Sequence, residues 1–256
     1  MPLPYSYNET LHHDRFSAEA VWRFFADREY SHRVLPDGRC DILLRFQSDG
    51  TKPSDPITPI VTGASTRFHV VPISAQTGYV GVRLRPGTAR AVLGIDAATI
   101  TNRGLVGDAA LTAVPKLQAL CLPGRNVDAL ADRLAAFVAS HLRGISVDVL
   151  TTNMIDMLHV TGGRLPVADI ARLHQVDVRT VRRRIVSAIG LTPKQLAMVV
   201  QFHRALRLRF HDRLDLVSTA IEAGYADQAH MSRVFWQMGG IRPGRLPDLV
   251  LAGFPI

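Results

Sequence analysis

Two stretches in the second half of the chain share one pattern, and that pattern decides the fold. Residues 167–193 read VADIARLHQVDVRTVRRRIVSAIGLTP, and residues 216–243 read LVSTAIEAGYADQAHMSRVFWQMGGIRP. Small, acidic, basic, glycine and proline residues recur at an offset of 49 or 50 positions, as in Ala171 and Ala220, Asp177 and Asp227, Arg183 and Arg233, Gly190 and Gly240, Pro193 and Pro243. The chain therefore contains an internal repeat, and each copy is expected to form the same small unit.

The first copy has the layout of a helix-turn-helix. Leu165-Pro166 opens its first helix, since proline is tolerated at the first helical position. Ala171 is small, which lets a second helix cross closely. His-Gln-Val at 174–176 predicts the turn, and Asp177 is a strong N-cap for the helix that follows.

The helix after this turn is predicted to have an apolar side and a basic side. Its inward residues are spaced three or four apart and are Val178, Val181, Ile185 and Ile189. Arg179, Arg182 and Arg183 share one exposed wedge of about 100°, because successive residues turn by about 100°. Arg184 lies on a neighbouring flank, where it reaches phosphate at most. An arginine wedge near a helix N-terminus suits a reader of the DNA major groove.

The second copy repeats this layout with different outward chemistry. Asp215 and Asp227 predict its two N-caps, and Gly224 predicts a left-handed turn. Its last helix is expected to turn Met231, Val234, Phe235 and Met238 inward, and Gln228, Ala229, Ser232 and Arg233 outward. Between the copies, Thr192 and Pro193 begin a long helix, which at about 1.5 Å per residue separates the units by roughly one turn of DNA.

These residues resemble the AraC/XylS family of bacterial transcription regulators. The resemblance runs from roughly 147 to 250 and rests on DIARLHQVDVRTVRRRI, IGLTPKQ, and AIEAGYADQAHMSRVF followed by GGIRP. It implies a DNA-binding domain at 147–256 with helix-turn-helix units at about 167–190 and 215–240. By position it implies DNA contacts from Arg179, Arg182, Arg183, Gln228, Ala229 and Arg233. Arg182 is a candidate for contact with phosphate, and so is His230.

Three departures from the family pattern bear on function. Gln175 stands where the first turn usually has glycine. Arg242 stands where the family usually has Thr or Ser before Pro243. Ala229 has no hydrogen-bond donor for a base, so the second unit is expected to read sequence less strictly than the first.

The first half of the chain is expected to be rich in β-structure. From 34 to about 115, short runs of Val, Ile and Thr are broken by Pro and Gly, which is typical of a sandwich or barrel. Residues 17–28 fit either an amphipathic helix or a strand. LPDGRCDILLRF and GVRLRPGTARAVLG resemble the cupin-like domains joined to this DNA-binding module. The predicted fold class is therefore α+β, with a β-rich, cupin-like N-terminal domain followed by an all-α domain that holds two helix-turn-helix units.

A helix at 126–142 is predicted to end the N-terminal domain. Its apolar stripe consists of Val127, Leu130, Leu134, Phe137, Val138 and His141. The stripe has two interpretations, packing on its own β-domain or forming the seam of a homodimer. Gly144 stops the helix. The boundary is placed near 146, between a regulatory or dimerisation domain at 1–146 and the DNA-binding domain at 147–256.

Composition and charge narrow the class of protein. The net charge is +8, and residues 147–256 supply +5 of it, which favours a polyanionic partner such as double-stranded DNA. No apolar run reaches the ~18 residues of a membrane span, and MPLPYSYNET lacks the features of a signal peptide. Cys40 and Cys121 are too few for a disulfide scaffold. A cytoplasmic protein without a membrane partner is expected.

The sequence marks catalytic and effector sites less clearly. No clustered His and Glu ligands appear within 34–115, so no metal, cofactor or catalytic residue is expected. The alternative that stays open is a cupin-like enzyme fused to a nucleic-acid-binding module. Effector candidates are Arg45, Arg67, Arg83, Arg85, Phe46, Phe68 and Tyr79, for which a solvated face or core packing is the other interpretation. A small-molecule effector, RNA polymerase and a second copy of the chain are the partners expected beside DNA.

Overall fold

The N-terminal half is built on an antiparallel sheet. The computed structural model describes residues 5–12, 18–48, 52–122, 126–145 and 148–245. The strands are β1 (Tyr5–Leu11), β2 (Ala20–Ala26), β3 (Tyr30–Val34), β4 (Cys40–Ser48), β5 (Pro53–Thr62), β6 (His69–Ile73), β7 (Thr77–Leu84) and β8 (Gly104–Val106). They form a six-stranded sheet in the order β1-β2-β7-β4-β5-β8, and a two-stranded sheet of β3 and β6.

Strand β2 settles the ambiguity over residues 17–28. It pairs antiparallel with β1 along one edge and with β7 along the other. The helix interpretation is wrong, because both edges of this backbone are committed to the sheet. Trp22 lies opposite Gly81 of β7, and a Cβ added at Gly81 would overlap the indole ring. A glycine at this position therefore lets the aromatic side chain lie across the neighbouring strand.

Among the described residues of this half, three α-helices accompany the sheet: α1 (Ala89–Leu93), α2 (Asp108–Ala113) and α3 (Val127–Leu142). Two 3-10 helices, Ala97–Ile100 and Pro115–Leu120, lie between them. Helix α3 starts at Asn126, whose side chain accepts a hydrogen bond from the Ala129 N–H at 2.8 Å. Leu130, Leu134 and Val138 of its apolar stripe are fully buried in the core of the N-terminal half. The homodimer-seam interpretation of this stripe is wrong, because these side chains are already buried within one chain. A homodimer through another surface stays a prediction.

The second half is helical. Its helices are α4 (Val149–Val160), α5 (Val167–Leu173), α6 (Val178–Ile189), α7 (Pro193–Leu206), α8 (Leu216–Ala223) and α9 (Gln228–Val234). Helices α7 and α9 each continue into a π-helical turn, at Arg207–His211 and Phe235–Gly239. The apolar faces meet in one core that includes Ile170, Ile185 and Phe202. The α+β fold class is confirmed, whereas the boundary at 146 lies outside the described residues.

The predicted inward faces of α6 and α9 are confirmed, and the start of α5 needs one correction. Val181, Ile185 and Ile189 are buried on α6, and Val178 is half-buried against the same core. Met231, Val234, Phe235 and Met238 are buried on α9 and its π-helical turn. Pro166 is the N-cap of α5 and not its first helical residue, because its backbone is extended. Its carbonyl already accepts the N–H of Ile170 at 3.2 Å, as an N-cap carbonyl does.

Candidate nucleic-acid interface

The first recognition helix, α6, is fixed at its start by Asp177. The Asp177 carboxylate accepts the backbone N–H of Thr180 at 2.6 Å and its hydroxyl at 3.1 Å. These hydrogen bonds, the one from the backbone of Thr180 foremost, hold the pKa of Asp177 below its ordinary value. The carboxylate therefore stays ionised beside the helix N-terminus, where a negative charge is favourable.

Three arginines of α6 form one exposed face. Arg179, Arg182 and Arg183 are all exposed, whereas Val181 and Ile185 of the same helix are buried. A shallow groove along this face is also lined by Asp96 and Ala98 of the N-terminal half. The predicted tri-arginine wedge is therefore present, and the N-terminal half lies beside it.

Arg184 has a role that the sequence did not predict. Its Nη1 donates to the Asp148 carboxylate at 2.6 Å and lies 3.4 Å from the Thr151 hydroxyl. Asp148 is also the N-cap of α4, accepting the Thr151 N–H at 3.2 Å. Arg184 thus ties α6 to the start of α4, and the expectation that it contacts phosphate at most is replaced by this internal ion pair.

The turn of the first unit holds a non-glycine residue in a left-handed conformation. Gln175 has φ of +54°, and it follows His174 at the end of α5. Gln175 therefore adopts the left-handed backbone conformation that favours glycine, although it carries a side chain. Left-handed φ is costly for a side chain with a Cβ.

The second unit shows the predicted caps and turn. Asp215 accepts the backbone N–H groups of Val217 and Ser218 at 2.9 and 3.0 Å, and begins α8. Gly224 has φ of +82° and ends α8. Asp227 then accepts the His230 N–H at 2.6 Å and begins α9, the second recognition helix.

The outward face of α9 carries less charge than that of α6. Gln228, Ala229 and Arg233 are exposed, as predicted. Ser232, also predicted to face outward, is half-buried, and its hydroxyl donates to the Gln228 carbonyl at 2.8 Å. His230 is half-buried, with its ring edge-on to Tyr225 at 5.3 Å between centroids. This packing directs the His230 ring into its own unit, so the assignment of His230 to phosphate has no support from its position.

A further exposed residue lies beside Arg233. Trp236 is 61% exposed on the π-helical turn that continues α9, and it shares a surface depression with Arg233 and Arg242. Sequence reasoning did not single it out, although its spacing of three from Arg233 was a signal that both lie on one helix face.

The linking helix α7 is attached to the turn of the second unit. Thr192 and Gln195 form a reciprocal capping box at its start, with the predicted Pro193 as the first helical residue. The Gln201 amide donates to the carbonyls of Ala223 and Gly224 at 3.1 and 2.8 Å. The second turn is therefore held directly by the helix that connects it to the first unit.

The residues proposed for an effector site do not converge on one cavity, although Arg45 on β4 lies opposite Tyr79 on β7. Arg83 is buried and forms ion pairs with Glu9, Asp37 and Asp41. The side chains of Arg45 and Arg67 are exposed. Arg85 donates a hydrogen bond to the His12 carbonyl. The aromatic candidates separate as well. Phe46 lies in the main core, Tyr79 packs in a second cluster, and Phe68 lies under the Arg33 guanidinium.

In the part of the chain that the structure describes, no group of three His, Cys, Asp or Glu side chains is placed to hold a metal ion. Over the same residues, no single helix is long and apolar enough to cross a bilayer. Helix α6 and the segment Pro193–His211 meet the length and apolarity criteria only when taken together, and the chain bends between them.

Cys40 lies in the core of the N-terminal half, where burial raises the pKa of its thiol to about 12.

Comparison with known proteins identifies two segments of the chain. Residues 170–247 match a family described as a helix-turn-helix domain, and residues 18–105 match a domain family of unknown function, DUF6597. No curated protein matches the chain.

Several solved structures are similar in outline. One is ToxT from Vibrio cholerae, with a TM-score of 0.46 and 13% identity over 94% of this chain and 97% of that chain. A structure of ToxT from the same organism with a bound unsaturated fatty acid has a TM-score of 0.45 and 13% identity, over 93% of both chains. The C-terminal domain of AraT, a response regulator from Geobacillus stearothermophilus, has a TM-score of 0.37 and 16% identity, over 43% of this chain and 95% of that chain.

Proposed function

We propose that the chain is a DNA-binding transcription regulator of the AraC/XylS family and that it reads a bipartite DNA site with α6 and α9. The match of residues 170–247 to a helix-turn-helix domain family supports this proposal. The observation that carries this is the matched pair of helices, each capped by an aspartate and each exposing arginine on the side opposite its buried residues. A single helix α7 joins the two units, so both act on one duplex. The two readers then occupy neighbouring major-groove segments about one helical turn apart.

The exposed residues have distinct roles in this proposal. Arg179 and Arg183 on α6 donate to base edges, where a bidentate arginine–guanine contact discriminates best. Arg182 on the same face binds phosphate. On α9, Gln228 and Arg233 donate to base edges. Ala229 offers only a methyl group, which suits apolar contact with a thymine methyl.

The division of labour within the chain is also a proposal. Residues 147–256 bind DNA, and residues 1–146 regulate this binding in response to a small-molecule effector. The regulator works in the cytoplasm, contacts RNA polymerase, and forms a homodimer through a surface other than the buried stripe of α3. A melting-temperature shift in an effector screen and sedimentation at micromolar concentration test the effector and the homodimer separately.

Salt dependence tests the DNA-binding role most directly. The full chain is titrated against a fluorescent random-sequence duplex at several salt concentrations, and log K is plotted against log [salt]. Because arginines displace condensed counterions, the plot should fall linearly with a slope of about −0.9 for each phosphate contact. A flat plot, or no binding at low salt, rejects the proposal.

The enzyme alternative is not favoured. A cupin-like enzyme fused to a nucleic-acid module would need a metal in the N-terminal half for its chemistry. Metal analysis of the purified chain distinguishes the two functions, because stoichiometric metal would support an enzyme and its absence a regulator without catalysis.

A further inference from the structure

The N-terminal half holds the C-terminal end of the first recognition helix. The Thr101 hydroxyl donates to the carbonyl of Gly190 at 2.9 Å. The Gly87 N–H donates to the carbonyl of Ala188 at 3.1 Å. The last carbonyls of a helix have no partners within it. The N-terminal half therefore supplies hydrogen-bond donors that α6 itself lacks.

The N-terminal half holds the end of the second recognition helix in the same way. The Nη1 of Arg33 donates to the carbonyls of Gly239 and Gly240 at 2.8 and 3.0 Å. The Phe68 N–H donates to the Met238 carbonyl at 2.6 Å. The Arg33 guanidinium also lies 4.6 Å from the centroid of the Phe68 ring, which fixes its plane. One arginine side chain and one backbone amide thus hold the end of the π-helical turn after α9 by hydrogen bonds.

The two contacts fall on matched positions of the internal repeat. Gly190 and Gly240 both end their helices with positive φ, +87° and +60°. A Cβ at Gly190 would overlap Thr101, and a Cβ at Gly240 would overlap Arg33 and the Phe68 ring. Each glycine therefore serves its helix end and also makes room for a residue of the N-terminal half.

A third contact lies between these two, on the linking helix. The Nε2 of His203 on α7 lies 2.5 Å from the Pro36 carbonyl, and His203 is only 6% exposed. Gly38 lies against Leu196 of the same helix. The N-terminal half accordingly touches both recognition helices and the helix that joins them.

We propose that Arg33 and Thr101 are positioning residues that set the angle and spacing of the two recognition helices from the N-terminal half. This inference rests on the proposed function. Both residues act at the C-terminal ends of the readers, whereas a recognition helix contacts bases with its N-terminal residues. Removing either contact should therefore change how the two half-sites must be spaced and leave the preferred bases of each half-site unchanged.

The experiment compares variants of the full chain in selection from one random duplex library, followed by sequencing. The variants are Arg33→Ala, Arg33→Lys, Thr101→Val and the control Arg67→Ala, which removes the same charge from an exposed position next to Phe68. The wild type and Arg67→Ala should enrich paired half-sites at one spacing, about 10–10.5 base pairs between centres.

Arg33→Ala and Thr101→Val should enrich the same half-sites with a broadened spacing distribution. Affinity for the wild-type spacing should fall about tenfold for Arg33→Ala, since charged hydrogen bonds are lost, while affinity for a single half-site stays within about twofold of wild type. Arg33→Lys should be intermediate, because lysine keeps the charge and loses the planar fork.

The outcomes separate this inference from the proposed function. If the wild type enriches no paired motif, the proposed function fails and the positioning role fails with it. If the wild type enriches a spaced pair and both Arg33→Ala and Thr101→Val keep the same spacing distribution, only the positioning role is overturned. Thermal melting checks each fold, and Thr101→Val, which keeps the shape of the side chain, decides the matter if Arg33→Ala does not fold.

Discussion

The two helix-turn-helix units share their framework and differ in the chemistry they expose. Each recognition helix begins at an aspartate and ends at a left-handed glycine, Gly190 or Gly240. The first exposes Arg179, Arg182 and Arg183, whereas the corresponding face of the second has Gln228, Ala229 and Arg233. Caps and inward apolar residues specify the helix, so the outward residues of a repeated unit are free to diverge. The first unit is accordingly the more strongly charged reader.

The turns of the two units reach one backbone shape with different residues. Gln175 and Gly224 both have positive φ, at +54° and +82°. Gly224 also lies where a Cβ would approach another side chain closely, at 2.8 Å from the Cδ of Arg164, whereas the side chain of Gln175 is exposed. The second turn is thus constrained by a neighbouring side chain as well as by its dihedral angle.

The largest effect should come from the arginine face of the first unit. Arg183→Ala should reduce affinity for a selected site by about 1–3 kcal/mol, and affinity for random duplex far less, because a bidentate base contact is lost. The matched control is the neighbouring Arg184→Ala, which breaks an internal pair with Asp148 and should leave both affinities nearly unchanged. A competition assay on single-base variants of the selected site measures both. Equal losses on selected and random DNA would show that Arg183 does not read bases.

The second prediction concerns the turn that packing constrains. Gly224→Ala should destabilise the chain by about 1–2 kcal/mol, since a non-glycine residue at positive φ is strained and its Cβ would displace Arg164. Urea unfolding followed by circular dichroism gives this value. An unchanged unfolding midpoint would mean that the second turn relaxes freely, and the contrast with the first turn would disappear.

Much of this framework is predictable from sequence because its signals are local. Asp177, Asp215 and Asp227 cap helices whose starts lie within three residues of them, and Thr192 does the same for α7. The inward residues follow from helical spacing alone. Local chemistry of this kind leaves a clear trace in the order of residues.

The contacts between the N-terminal and C-terminal halves cannot be predicted from local sequence patterns. Arg33 lies more than 200 positions from the carbonyls of Gly239 and Gly240 that it binds, and no periodicity in either segment marks the pair. The pairing of Arg184 could not be predicted from its position on the flank of α6, where only a phosphate contact was expected, because its partner Asp148 is 36 positions away. The strand β2 was ambiguous because its apolar residues fit two periods, and its pairing with β1 and β7 decided between them.

A third prediction concerns His203, on the helix that joins the two units. Burial lowers its pKa to about 3, so it stays neutral in the folded chain while the unfolded chain protonates near pH 6.5. The unfolded state therefore binds more protons as pH falls, and the stability that His203 contributes above pH 6.5 is progressively lost below it. Between pH 7.5 and 5.5 the wild type should lose about 1 kcal/mol more than His203→Gln. Urea unfolding of both proteins at the two pH values measures this difference, and parallel losses would contradict a buried neutral His203.

The smallest effect should appear in the first turn. Gln175→Gly should stabilise the chain by only a few tenths of a kcal/mol, because relief of the left-handed strain is largely offset by the greater freedom of glycine in the unfolded chain. Gln175→Ala is the matched control, since alanine keeps the Cβ and therefore the strain. The glycine variant should be more stable than the alanine variant by about 1 kcal/mol or less in urea unfolding. If alanine were the more stable, the left-handed strain at position 175 would be smaller than the entropic cost of glycine, and φ would not limit the stability of the first turn.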